Sequence, residues 1–152
     1  MKKILYILAA ICMLASCEKV NDGTETPAEN DPIVGDWHCT SSAIDAEIYV
    51  SFNADKTFLL YQQIGDGAYR VYNGTYDLQG QEGESTQTLT GTYNDGSSWG
   101  SGYELIMGEN SMTLTASGIT EQYDKLTDGI PAEVVASSVT VVKSDDVVIP
   151  FL

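Results

Sequence analysis

What most constrains this chain is a period-two alternation of apolar and polar residues, interrupted by Gly, Asn and Asp roughly every ten positions. Ile48, Val50 and Phe52 alternate with Tyr49 and Ser51. After a turn at Asn53-Ala54-Asp55-Lys56, Phe58 and Leu60 alternate with Leu59 and Tyr61. Successive strand side chains point to opposite faces, so this pattern describes half-buried strands joined as hairpins. Gly65-Asp66-Gly67 breaks the chain. Tyr69, Val71, Tyr76 and Leu78 resume it, with Gly74 inside the run where a glycine marks a bulge or bend. Leu89, Gly91 and Tyr93 lead into the tight-turn signal Asn94-Asp95-Gly96. Trp99, Tyr103, Leu105 and Met107 follow, then a turn at Gly108-Glu109-Asn110, a strand through Met112, Leu114 and Ala116, and a last one from Ile119 to Leu126. Regular short strands predict a sandwich or a barrel. Because nearly every connection is short, and a Greek-key sandwich needs a long crossover, the expectation is an all-β fold: a small antiparallel up-and-down β-barrel of about eight strands.

The N-terminus reads as an address. Met1-Lys2-Lys3 precedes the apolar run Ile4 to Leu14, which is too short for a permanent membrane helix and predicts a signal peptide over residues 1–16. The run ends in Leu14-Ala15-Ser16-Cys17, which resembles the lipobox of bacterial lipoproteins. That resemblance implies a lipid on the sulfur of Cys17, cleavage just before it, and a membrane partner held through that lipid. The implied location is the cell envelope, most simply the outer membrane, facing the periplasm or the surface. Acidic residues just after the cysteine, Glu18 and Asp22, resemble the surface-export signals of Bacteroidetes lipoproteins. Residues 17–32 carry almost nothing apolar beyond the anchor and predict a flexible tether. With Cys12 in the leader and Cys17 lipidated, Cys39 is left without a disulfide partner.

Gly35-Asp36-Trp37 opens the first strand and resembles the Gly-x-Trp signature of lipocalins and related calycin barrels. Asp55-Lys56-Thr57-Phe58, Gly74-Thr75-Tyr76 and Tyr123-Asp124-Lys125 follow it in order, a set similar to the lipocalin-like domains of Bacteroidetes lipoproteins. The resemblance implies a lipocalin-like barrel over residues 33–126, with Trp37 packed across its closed end and Gly35 permitting the close approach there. It departs from the vertebrate-type lipocalins in lacking an obvious long C-terminal helix. Eight strands leave an interior that fills with side chains or admits one small ligand. Residues 127–152 form a C-terminal extension. Ile130 to Ala136 predict a short helix begun by Pro131, while Val139, Val141 and Val142, and Val147 to Ile149, are strand-like. So much Val and Ile predicts an extension docked on the barrel.

The 152 residues carry 22 Asp and Glu against 7 Lys and Arg, a formal charge of -15. Such a balance argues against nucleic acid and against electrostatic docking to anionic lipid. No catalytic constellation stands out. His38 is the one histidine and alternates away from Trp37, so it faces out, while Cys39 shares the face of Trp37 and reads as a small buried residue. The acidic residues weighed for chemistry fall at turns and solvent-facing positions; turn chemistry accounts for Asp95 and for Asp145-Asp146. Neither cofactor nor metal nor enzymatic activity is expected. What remains is an apolar and aromatic interior. Trp37, Phe52, Phe58, Leu60, Tyr76, Trp99, Tyr103 and Leu105 are the candidate ligand-binding residues, with Ile48, Val50, Leu89 and Leu114 also facing in and Trp99 at the mouth. Tyr49 and Tyr61 alternate away from the interior and predict exposed aromatics. The leading expectation is a barrel that binds a small hydrophobic or amphipathic molecule. The alternative is a filled barrel serving as a structural or protein-interaction module.

Overall fold

The computed structural model describes residues 31–80, 85–100 and 102–141. The leader, Cys17, nearly all of the tether, Asp145-Asp146 and the Val147–Ile149 segment lie outside them. Eight strands follow one another along the chain: β1 Gly35–Ser41, β2 Ala46–Phe52, β3 Thr57–Ile64, β4 Arg70–Gln79, β5 Gln87–Tyr93, β6 Tyr103–Met107, β7 Ser111–Ala116 and β8 Ile119–Lys125. Each pairs antiparallel with the next, and β1 pairs with β8, so the meander closes into an eight-stranded barrel. A six-residue helix, α1 Ala132–Ser137, and a two-residue strand, β9 Val139–Thr140, come after it.

The barrel forms because one face of each strand is apolar and closure buries that face without leaving an edge. In β2 the residues Ala46, Ile48, Val50 and Phe52 are buried while those between them are half-buried. β4 links two neighbours: Arg70 to Thr75 pair with β3, and Gly74 to Gln79 pair with β5. Gly74 lies in the overlap, where a Cβ would stand 2.0 Å from the Thr92 carbonyl oxygen. Only glycine lets the two backbones pass so closely.

The two ends of the barrel differ. At one end Trp37 is fully buried under Ile33, and its indole Nε1 donates to the Ile33 carbonyl at 2.8 Å. Gly35 sits at φ +136°, and the stem of Lys125 passes 3.0 Å from where its Cβ would be. That places the Lys125 ammonium 5.1 Å from the centroid of the Trp37 ring. A 2.5 Å ion pair from Lys56 to Asp31 ties the neighbouring turn to the covering segment, and a 2.9 Å hydrogen bond from the Tyr76 hydroxyl to the Asn53 carbonyl ties it to β4. The other end carries the β1–β2, β3–β4, β5–β6 and β7–β8 connections.

The extension lies on the barrel. β9 pairs in parallel with the first residues of β4, where β5 does not reach, through Val139 N–H to Tyr69 and Val141 N–H to Val71. Val134 of α1 is 3 % exposed. Tyr61, expected on an exposed face, is only 7 % exposed, and neither it nor Val134 belongs to the interior core. The Tyr61 side chain does point outward, but the extension runs beside that part of the sheet: Val71, the cross-strand partner of Tyr61, pairs on its other side with Thr140 of β9.

Candidate functional site

Seven of the eight residues expected to line the interior or mouth lie on strands and face inward; Trp99 reaches the interior from a loop. All eight belong to one buried core. Trp37, Phe52 and Tyr76 lie toward the tryptophan end, where Phe52 and Tyr76 meet edge to face at 5.0 Å. Phe58, Trp99 and Tyr103 form a chain of edge-to-face contacts through the middle, at 5.0 and 5.7 Å. Leu60 and Leu105 are buried in the same core. Trp99, expected on a loop at the mouth, is 5 % exposed: its backbone N–H donates to the Gly91 carbonyl at 2.8 Å, and its ring lies over Gly91 inside the barrel.

The polar interior was not anticipated by the sequence. The ladder between β1 and β8 covers Trp37 opposite Lys125 and His38 opposite Asp124. Continued one and two pleats toward the far end, that register brings Cys39 opposite Tyr123 and Ser41 opposite Glu121. Side chains span the seam there. The Ser41 hydroxyl donates a short hydrogen bond to one oxygen of Glu121, and the Cys39 thiol approaches the other at 3.9 Å. Burial, with Glu121 beside it, pushes the Cys39 thiol from its ordinary 9.0 up to about 12. Tyr123 is wholly buried, and its hydroxyl has no hydrogen-bond partner among the described residues. Burial foremost, then Cys39, Tyr103 and Glu121, hold that hydroxyl well above its ordinary 10.0.

Around this polar group runs an aliphatic rim. Ile44 from the β1–β2 connection, Ile64 ending β3, Ala116 and Ile119 flanking the β7–β8 turn, and Val141 of the extension are partly buried and packed on the core. Gln62, on the inward face of β3, is buried as well. Strand parity was the signal for all of this. Ile119, Glu121 and Tyr123 share a face of β8, as Trp37, Cys39 and Ser41 do of β1, so a buried Tyr123 implies an inward Glu121.

His38 faces out, as alternation requires, and is engaged there. It shares a short hydrogen bond with Glu47, which also accepts from Thr40 at 2.9 Å, and it stacks on Tyr49 at 4.5 Å. Asp95 accepts from the Ser97 N–H and hydroxyl at 2.8 and 2.6 Å, a turn-forming arrangement. Among the described residues no three His, Cys, Asp or Glu side chains converge as metal ligands. No known family, curated protein or solved structure matches the chain.

Proposed function

We propose that this protein is a lipid-anchored envelope binder whose barrel takes up one small amphipathic molecule through the end that carries Glu121. The observation that supports this reading is the difference between the two ends. One is plugged by Ile33, Trp37 and Lys125. The other presents half-buried Ile44, Ile64 and Ile119 around inward polar groups, Ser41, Gln62 and Glu121. An apolar surround with a few convergent polar groups is the usual make-up of a small-molecule site. A lipid on Cys17 would hold the barrel at a membrane, and residues 18–32 would set its distance from the bilayer. On this reading the protein is a binder and not an enzyme: among the described residues, the inward polar groups named here, Ser41, Gln62 and Glu121, include one carboxylate and no histidine. Native mass spectrometry of the full-length protein, purified gently from its own host, tests the reading. An adduct of a few hundred daltons, released on denaturation, is the expected result, and a bare protein mass counts against it.

A protein-interaction role has one observation in its favour: Val135 and Val139 of the extension remain about half exposed, at 47 % and 55 %. If they seat a partner, replacing both with Glu abolishes capture while the barrel stays folded. Equal capture by the double variant removes this alternative.

A further inference from the structure

The chemistry of the Glu121 end specifies the ligand further, on the reading that this end is the entrance. Glu121 is an inward carboxylate whose described partners, the Ser41 hydroxyl and the Cys39 thiol, are both neutral donors. No basic side chain among the described residues pairs with it; His38 pairs with Glu47 and Lys56 with Asp31. A carboxylate drawn into a barrel is stabilised by a counter-cation more than by neutral donors. Tyr123 shares the inward face of β8 with Glu121, and its wholly buried hydroxyl has no hydrogen-bond partner among the described residues. A buried hydroxyl without a partner is costly, and its oxygen is free to accept a hydrogen bond. Above both lie Ile44, Ile64 and Ile119, aliphatic and half-buried.

We infer that the Glu121 end binds a small organic ammonium ion head first. The ammonium donates to the Glu121 carboxylate and to the Tyr123 hydroxyl oxygen, and the alkyl body rests on the isoleucine rim. An ammonium group has three N–H donors and no acceptor, which complements a carboxylate and a hydroxyl lone pair. A fatty-acid head is disfavoured, because it would set a second negative charge against Glu121 in a chain of formal charge -15.

Calorimetric titration of the full-length protein with n-hexylammonium, n-hexanol and hexanoate tests this. The three probes share a tail and differ in head group. The ammonium is expected to bind about tenfold more tightly than the alcohol, with hexanoate weakest. Glu121→Gln is expected to bring the ammonium down to the level of the alcohol. Tyr123→Phe removes only an unpartnered hydroxyl, so it keeps the fold and is expected to weaken ammonium binding even if Glu121→Gln does not fold. Asp124→Asn, a charge removed from the outer face of β8, is expected to leave the preference intact. Equal affinity for ammonium and alcohol overturns the inference while sparing the entrance. So does ammonium binding that survives both interior substitutions, or a preference lost with Asp124. If none of the three probes binds, the entrance reading falls as well.

Discussion

At Gly91 a Cβ would lie 2.2 Å from Cε2 of Trp99, so the indole occupies the volume where a side chain would stand. Gly91→Ala is therefore expected to displace the ring and destabilise the barrel by about 1–3 kcal/mol, read as a lower Tm with altered tryptophan fluorescence. Cys39, Tyr93 and Tyr123 give the interior a pH limit of its own. Burial raises Cys39 from 9.0 to about 12, Tyr93 from 10.0 to about 12, and Tyr123 well above its ordinary 10.0. Below their ordinary values all three are protonated whether the chain is folded or not. Above them the unfolded chain releases protons that the folded chain keeps, so stability falls as pH rises from 9.0 through about 12. Chemical denaturation at a series of alkaline pH values is expected to follow that slope. The native Cys39 thiol is also expected to resist alkylation at mildly alkaline pH and to react once the chain unfolds. The inward aliphatic and aromatic residues were legible because each is apolar at an alternating position. Glu121 was not, because a carboxylate in a strand reads as solvent-facing until Tyr123 fixes the parity of β8.

Hairpins were the most legible elements, since their turns are local. Ala116 and Ile119 close one over Ser117 and Gly118, whose φ values of +54° and +82° are those of a two-residue turn favouring Asn-Gly. Ser117→Asn is expected to raise stability by about 0.5 kcal/mol, measured by denaturant unfolding. The extension was legible as a short helix and a strand, but not where it docks. That depends on β4 leaving β5 at Gly74 and exposing the edge that β9 fills, a long-range arrangement with no local signature. Val134 anchors this element, so Val134→Ala is expected to cost about 1–2 kcal/mol. It is also expected to speed hydrogen exchange at the Val139 and Val141 amides ahead of the barrel strands. Rapid loss of barrel amides in the same variant would mean that the extension and the barrel unfold as one unit.

Taken whole, the molecule is a short meander barrel with unlike ends. Closure between β1 and β8 is laddered near Trp37 and carried by side chains near Ser41 and Glu121, so the seam is tied by backbone at one end and by a carboxylate at the other. This difference arises from where two residues fall in register across the full length of the barrel, which is why alternation predicted the barrel but not how its two ends differ. Chemical-shift mapping of the isotopically labelled full-length protein, titrated with n-hexanol as an uncharged amphipathic probe, tests it most directly. Shifts confined to Ser41, Ile44, Ile64, Ile119, Glu121 and Tyr123, with the Trp37 indole and Ile33 unmoved, are the expected result. Shifts centred on Trp37 and Ile33, or spread over the outer face around His38 and Tyr49, would contradict it.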